Sequence, residues 1–180
     1  MIPTRARALI VGFVLLALTG CAAPARVSQM VAYAPEPSDA QTGSQWHRSL
    51  ALITVTGGES TNPMWTSEVG NAEFHEALRL SLHANGLLGS EGQPAKFGLY
   101  AELMEVSQPL FGFDLTVTSN VHYVVTDTAS GAVAFDEIIT ASHTATIGDA
   151  FVAVERLRLA NEGSVKQNIR VFIDKLLRQQ

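Results

Sequence analysis

The stretch from Phe113 to Thr126 leaves this chain few ways to fold. Phe113, Leu115, Val117, Val121, Tyr123 and Val125 fall on one side of an extended backbone, interrupted only by Ser119. Asp114, Thr116, Thr118, Asn120, His122 and Thr126 fall on the other, with Val124 the exception. Successive side chains of a strand point to opposite faces, so a period of two with one apolar set describes a sheet packed on one side and open on the other. The remaining elements must cover the apolar side.

Candidates for that cover lie on both flanks. Ser49 to Thr56 is a compact apolar, β-branched run closed by Gly57-Gly58, and reads as the first strand. A long loop follows to Gly70. It holds Asn62-Pro63-Met64-Trp65, where Trp65 either folds back over the core or anchors a partner. Asn71 offers an N-cap and Glu73 an anion in the first turn. Phe74, Ala77, Leu78, Ser81 and Leu82 make one stripe of a helix that runs to about Asn85 and stops at Gly86.

Phe97 to Val106 alternates as a second strand, and Thr128 to Gly131 turns the chain into a fourth. There Val133, Phe135, Ile139 and Ala141 form the apolar set. If that hairpin keeps its faces aligned, His122 can stand opposite Asp136 on the open side; a bulge near Gly131 would change the parity. From about Asp149 the chain is helical. Val165, Ile169, Phe172, Ile173 and Leu176 form its stripe, with an Arg170, Asp174, Arg178 ladder beside it. Ser164 with Gln167 resembles a capping box, so Gly163 either separates two helices or sits inside one at a cost of ~1 kcal/mol relative to Ala. The order β-α-β-β-β-α predicts an α+β two-layer sandwich over residues 48–180: a four-stranded, mostly antiparallel sheet with two helices on one face.

Signatures of chemistry are sparse. His75 and His83 stand two helical turns apart, ~12 Å along the axis, too far to share a metal. Arg79 occupies the place where His-Glu-x-x-His needs its second ligand, so these histidines read as a solvated face. Leu88-Gly89-Ser90-Glu91-Gly92 lacks the first glycine of a nucleophile elbow, and no phosphate-binding glycine loop occurs. His122 with Asp136 is the pair from which a general base could be built, and an exposed cross-strand pair is the preferred reading. Trp65, Asn120, His122 and Asp136 together make the candidate partner surface. No cofactor is implied.

The N-terminus carries the strongest motif. Arg5 and Arg7 precede an apolar segment from Ala8 to Leu18, shorter than the ~20 residues a bilayer span needs, as in a secretory signal peptide. It ends in Leu18-Thr19-Gly20-Cys21, which looks like the lipobox of bacterial lipoproteins. The resemblance implies cleavage between Gly20 and Cys21 and acylation of Cys21, the chain's single cysteine. With Ala22 next in line, it also implies a periplasm-facing lipid anchor in a Gram-negative outer membrane. Residues 22–47, rich in Ala, Pro, Ser and Gln, are expected to form a disordered tether.

Charge narrows the partners. Removing Arg5 and Arg7 from the twelve bases leaves ten against seventeen acids, a side-chain balance of −7. Such a surface argues against nucleic acid. Between Phe97 and Val154 there is no Lys or Arg, while Arg156, Arg158, Lys166, Arg170, Lys175 and Arg178 make the last helix basic.

Lipobox, tether and β-α-β-β-β-α domain together resemble small envelope lipoproteins of the YajG kind and the lipopolysaccharide-assembly lipoprotein LptE. Asn62 to Ser67, Gln108 to Gly112 and Glu155 to Glu162 are similar to stretches in uncharacterised proteobacterial lipoproteins, some of them labelled UDP-N-acetylglucosamine acyltransferase. Enzymes of that name are left-handed β-helices built on hexapeptide repeats, and no six-residue repeat is present here. The expected tether, the one-sided sheet and the lack of a catalytic constellation point to a non-enzymatic adaptor or assembly module of the cell envelope, docking another envelope protein. The alternative is an envelope enzyme of lipid or sugar metabolism, which no motif supports.

Overall fold

The computed structural model describes residues 22–33, 43–61, 67–90 and 92–179. Strand β1 (Leu50–Thr56) leads through helix α2 (Asn71–Ala84) to β2 (Phe97–Ser107), β3 (Leu115–Asp127), β4 (Val133–Ala145) and the long helix α3 (Ala153–Arg178); a single turn, α1 (Val27–Met30), precedes them. The strands lie side by side in chain order. β1 pairs with β2 in parallel, which requires the crossover that α2 supplies, and the other two pairings are antiparallel. The sheet is therefore mixed, and the α+β sandwich stands.

The packed face is the one the alternation specifies. Leu115, Val117, Ser119, Val121, Tyr123 and Val125 are all buried. α2 buries Phe74, Ala77, Leu78, Ser81 and Leu82, the predicted stripe, and α3 buries Val165, Ile169, Phe172, Ile173 and Leu176 against β3 and β4. Phe172 stacks on Tyr123 with ring centroids 4.1 Å apart and takes Phe135 edge-on at 5.4 Å. Ser119, the exception in the apolar row, meets a polar partner in the helix layer. Ser164 Oγ donates to Ser119 Oγ at 2.8 Å, and Asn168 Nδ2 donates to the Ser119 and Ile139 carbonyls.

Local expectations differ from the structure in five places. Asn71 is the first residue of α2 rather than its cap, and its Oδ1 accepts the Gly58 N–H instead. Phe113 precedes β3 and is exposed, because β4 ends at Ala145 opposite Leu115 and leaves Phe113 without a strand beside it. Val133 is exposed too: an extra residue, Ala134, interrupts the pairing beyond Phe135 and sets Val133 opposite Thr126 on the open face. Of the two readings left open at Gly163, the structure has the uninterrupted helix, and the expected capping role of Ser164 is what fails. α3 is one helix, and Ser164 spends its hydroxyl on the core instead of a cap.

The fifth difference concerns the expected tether. Residues 22–33 are packed, with Ala25, Met30, Val31 and Ala32 buried against the helix layer. Arg26 fastens this strap. Its Nε and a terminal guanidinium nitrogen each donate to the Glu162 carboxylate, at 3.0 and 2.9 Å, and its backbone N–H adds a third bond at 2.7 Å. Trp46, also in the supposed tether, is buried against Phe97 and donates through Nε1 to the Gln179 carbonyl. Residues 22–33 thus belong to the packed fold, and residues 34–42 lie outside the described set.

Candidate functional site

Of the predicted site residues, Gly20, Cys21 and Trp65 lie outside the described residues. The base of the Trp65 loop is described: Thr61 Oγ1 donates to the Glu68 carbonyl and accepts the Glu68 N–H, pinching the two sides together. Asn120, His122 and Asp136 all stand on the open face of the sheet.

That face is a ladder of side chains bonded across the strands. Thr116 meets Thr144 at 2.8 Å, Thr118 meets Ser142 at 2.8 Å, and Thr140 donates to Asn120 Oδ1 at 2.6 Å. Asn120 Nδ2 reaches the other way to Glu105 on β2. Met104 is the extra residue of a bulge in β2, which returns Glu105 to the open side and turns Val106 to the core. His122 Nε2 lies 2.7 Å from Asp136 Oδ1. The register is one step off direct opposition, with His122 across from Ile138 and Asp136 across from Val124, so the bond is diagonal. Parity between the strands is kept where the pair forms.

A nucleophile's hydroxyl or thiol hydrogen-bonded to His122 would be the next requirement for acyl transfer. Among the described residues, His122 bonds only Asp136, and its direct neighbours across the strands are Glu102 and Ile138. No group of three metal-ligating side chains occurs among them either.

The basic last helix also differs from its sequence appearance. Arg156 is buried, Arg158 is held by Glu155, and Lys175 pairs with Glu137 on β4. Lys166, Arg170 and Arg178 remain exposed and form no ion pair among the described residues.

Sequence reasoning missed the end of the domain formed by the β2–β3 and β4–α3 connections. Leu110, Phe111 and Phe113 on the first, with Ile147, Phe151 and Val152 on the second, are exposed, Leu110, Phe111 and Phe151 by 86–88%. Gln108 to Gly112, Leu115, Ala153, Val154 and Leu157 line a cleft of about 270 Å³ between the two loops. Arg156 ties them together: one guanidinium nitrogen donates to the Ala150 and Phe151 carbonyls, and the other to the Gly112 carbonyl. Three large apolar residues in Pro109-Leu110-Phe111-Gly112-Phe113, bracketed by turn formers, were the available signal.

No protein-family model matches the chain, and no curated protein matches it. Solved structures share its fold. A protein of Caulobacter crescentus provisionally described as a lipoprotein superposes with a TM-score of 0.53 at 17% identity, over 78% of this chain and 94% of that one. A Xanthomonas campestris protein of the DUF330 family gives 0.56 at 9% identity, over 83% and 91%. A hypothetical protein of Chlamydia trachomatis gives 0.50 at 17% identity, over 71% and 94%. At such identities the likeness is one of fold.

Proposed function

We infer that the chain is an exported lipoprotein of the bacterial envelope, acylated on Cys21 at the outer membrane, whose domain serves as a non-enzymatic adaptor or assembly module. The observation that carries this reading is Leu18-Thr19-Gly20-Cys21 at the end of a short apolar segment preceded by two arginines. The fold held in common with the Caulobacter protein supports it. The adaptor role rests on the open face, whose Thr, Ser, Asn and His side chains are fixed by bonds to one another and present a preorganised polar surface to a second envelope protein.

In a Gram-negative host fed an alkyne analogue of palmitate, the protein should take label and fractionate with the outer membrane, and Cys21→Ser should lose both. Label retained by the variant, or native protein recovered free in the periplasm, overturns the anchor. A photoreactive residue at position 138, exposed on the open face, should capture one recurrent envelope protein. That capture should fall when His122 and Asp136 are both replaced by Ala; an unchanged yield removes this face as the docking surface.

A further inference from the structure

The apolar end of the sandwich has an occupant that its position in the fold identifies. A soluble surface tolerates scattered apolar side chains, whereas a contiguous group of large ones marks a site that something covers. Here Leu110, Phe111, Phe113, Phe151 and Val152 project from two neighbouring loops over a small core of Leu115, Val117, Ala145, Leu157 and Ala160. The loops are not free to fold back. The buried Arg156 fork holds carbonyls of both, and the Asp149 carboxylate accepts from the N–H and hydroxyl of Thr146 at the base of the second.

The first described residues run to this same end. Ser67 Oγ donates to the Ala23 carbonyl at 2.7 Å, and the Ser67 carbonyl accepts from Gln108 Nε2 at 3.1 Å and Asn161 Nδ2 at 2.6 Å. One buried serine therefore bridges Ala23 to Gln108, two residues before Leu110. Ala22 is itself buried, and Cys21 is bonded directly to it, one Cα step of ~3.8 Å away. With residues 22–33 packed as a strap, nothing between the cysteine and the domain acts as a spacer.

We propose that the Leu110-Phe111-x-Phe113 and Phe151-Val152 loops enter the interfacial region of the bilayer that receives the acyl chains of Cys21, so that the domain stands end-on against the membrane. This rests on the lipoprotein reading above. Aromatic and aliphatic side chains at headgroup depth add apolar burial to that of the acyl chains. From Phe97 to Val154 the chain has no Lys or Arg, so the contact owes nothing to anionic lipid and persists in high salt. The strands run along the length of the domain, and the 128–131 turn lies ~40 Å from these loops, at the far end of the thirteen-residue strands β3 and β4. End-on docking leaves the open face accessible to a partner.

The test uses the full protein, purified from host membranes and returned to vesicles of phosphatidylethanolamine and phosphatidylglycerol doped with a diazirine-tailed phospholipid. After irradiation, peptide masses report lipid adducts along the chain and, separately, the acylation state of the N-terminal peptide. Adducts should concentrate on 108–114 and 146–153, stay absent from 128–132, and keep their yield in about 0.5 M salt, where the Debye length is ~4 Å. The triple variant Leu110→Ser, Phe111→Ser, Phe151→Ser, whose changes fall on exposed side chains, should keep its melting temperature and lose those adducts. An acylated N-terminus with no adducts on the loops overturns the inference and leaves the lipoprotein reading intact. An unacylated N-terminus removes the premise, and the inference falls with it.

Discussion

The imidazole of His143 on β4 lies against the backbone of Gly163 in the middle of α3: a Cβ added at Gly163 would sit 2.1 Å from His143 Cδ2 and 2.3 Å from Cγ. The glycine's lack of a side chain lets helix and strand meet here. Gly163→Ala should therefore destabilise the domain, because displacing the ring outweighs the ~1 kcal/mol of helix propensity gained. With His143→Ala already in place the same substitution should reverse sign and stabilise by about that amount. Chemical denaturation of the four members of this cycle reads the coupling directly; additive effects would mean that the ring swings aside at no cost.

This contact shows where the sequence was legible and where it was not. The period-two pattern of β3 and the stripes of α2 and α3 are local signals, and the structure keeps them from Leu115 onward in the strand and throughout both helical stripes. Gly163 and Ser164 left a helix break open because the reason for each lies on another element: His143 for one, Ser119 and Ala141 for the other. Val133 and Phe113 were misplaced because a bulge at Ala134 and the length of β4 are properties of the pairing, invisible in either strand alone. The strap failed for the same reason. Its Ala and Pro composition is that of a linker, yet Arg26 finds Glu162 at a separation of 136 residues. Of the candidate site, strand phase put His122 and Asp136 on one face, but their diagonal bond depends on a register that neither strand carries alone, and the apolar end emerged only when two loops distant in sequence were brought together.

The core polar network makes a second prediction. Asn168 is fully buried, accepts from the Tyr123 hydroxyl at 3.0 Å and donates to two strand carbonyls. Burial pushes the Tyr123 phenol well above its ordinary pKa, so it stays a neutral donor. Asn168→Ala should cost about 2–4 kcal/mol, since it opens space, leaves the buried Tyr123 hydroxyl without its partner and removes a donor from two strand carbonyls. Adding Tyr123→Phe should then cost little more, because the hydroxyl it removes is already unpaired. A full additional penalty in urea unfolding would argue against the network.

The strap should come loose without its latch. Glu162 is nearly inaccessible, and Arg26 supplies its three closest donors. Arg26→Ala should cost about 2 kcal/mol, less than for a fully buried pair because the guanidinium is partly in water. Limited proteolysis should then cut within residues 22–33 before the sheet is attacked. Equal rates for native and variant chains would place the strap's stability in the burial of Met30, Val31 and Ala32 and in bonds such as that from Ser67 to the Ala23 carbonyl.

Acid should weaken the two strand-end turns. The Ser130 N–H, with the Ser130 hydroxyl and Ala129 N–H, holds the Asp127 carboxyl below the usual carboxylate range, and the Thr146 N–H and hydroxyl do the same for Asp149. A depressed folded-state pKa means that the unfolded chain binds more protons, so this contribution is complete above the unfolded value of ~3.9 and is lost as pH falls through the folded one. The double variant Asp127→Asn, Asp149→Asn should show a flatter melting temperature below about pH 4 than the native chain, with little difference in slope at pH 6. Parallel curves throughout the acid range would show that other carboxylates govern it.

Arg156 should govern the shape of the apolar end independently of what covers it. Its planar fork donates to three backbone carbonyls on two loops at once, which a lysine's point charge cannot reproduce. Arg156→Lys should thus behave like Arg156→Met, each losing about 1.5–3 kcal/mol from charge-assisted bonds to part-buried loop carbonyls. Amide exchange should quicken in 110–114 and 149–153 while the β3–β4 ladder keeps its protection. If lysine restored slow exchange, positive charge rather than the fork would be what joins the loops. If exchange quickened across the whole sheet instead, Arg156 would be a support of the core and not a clasp on its end.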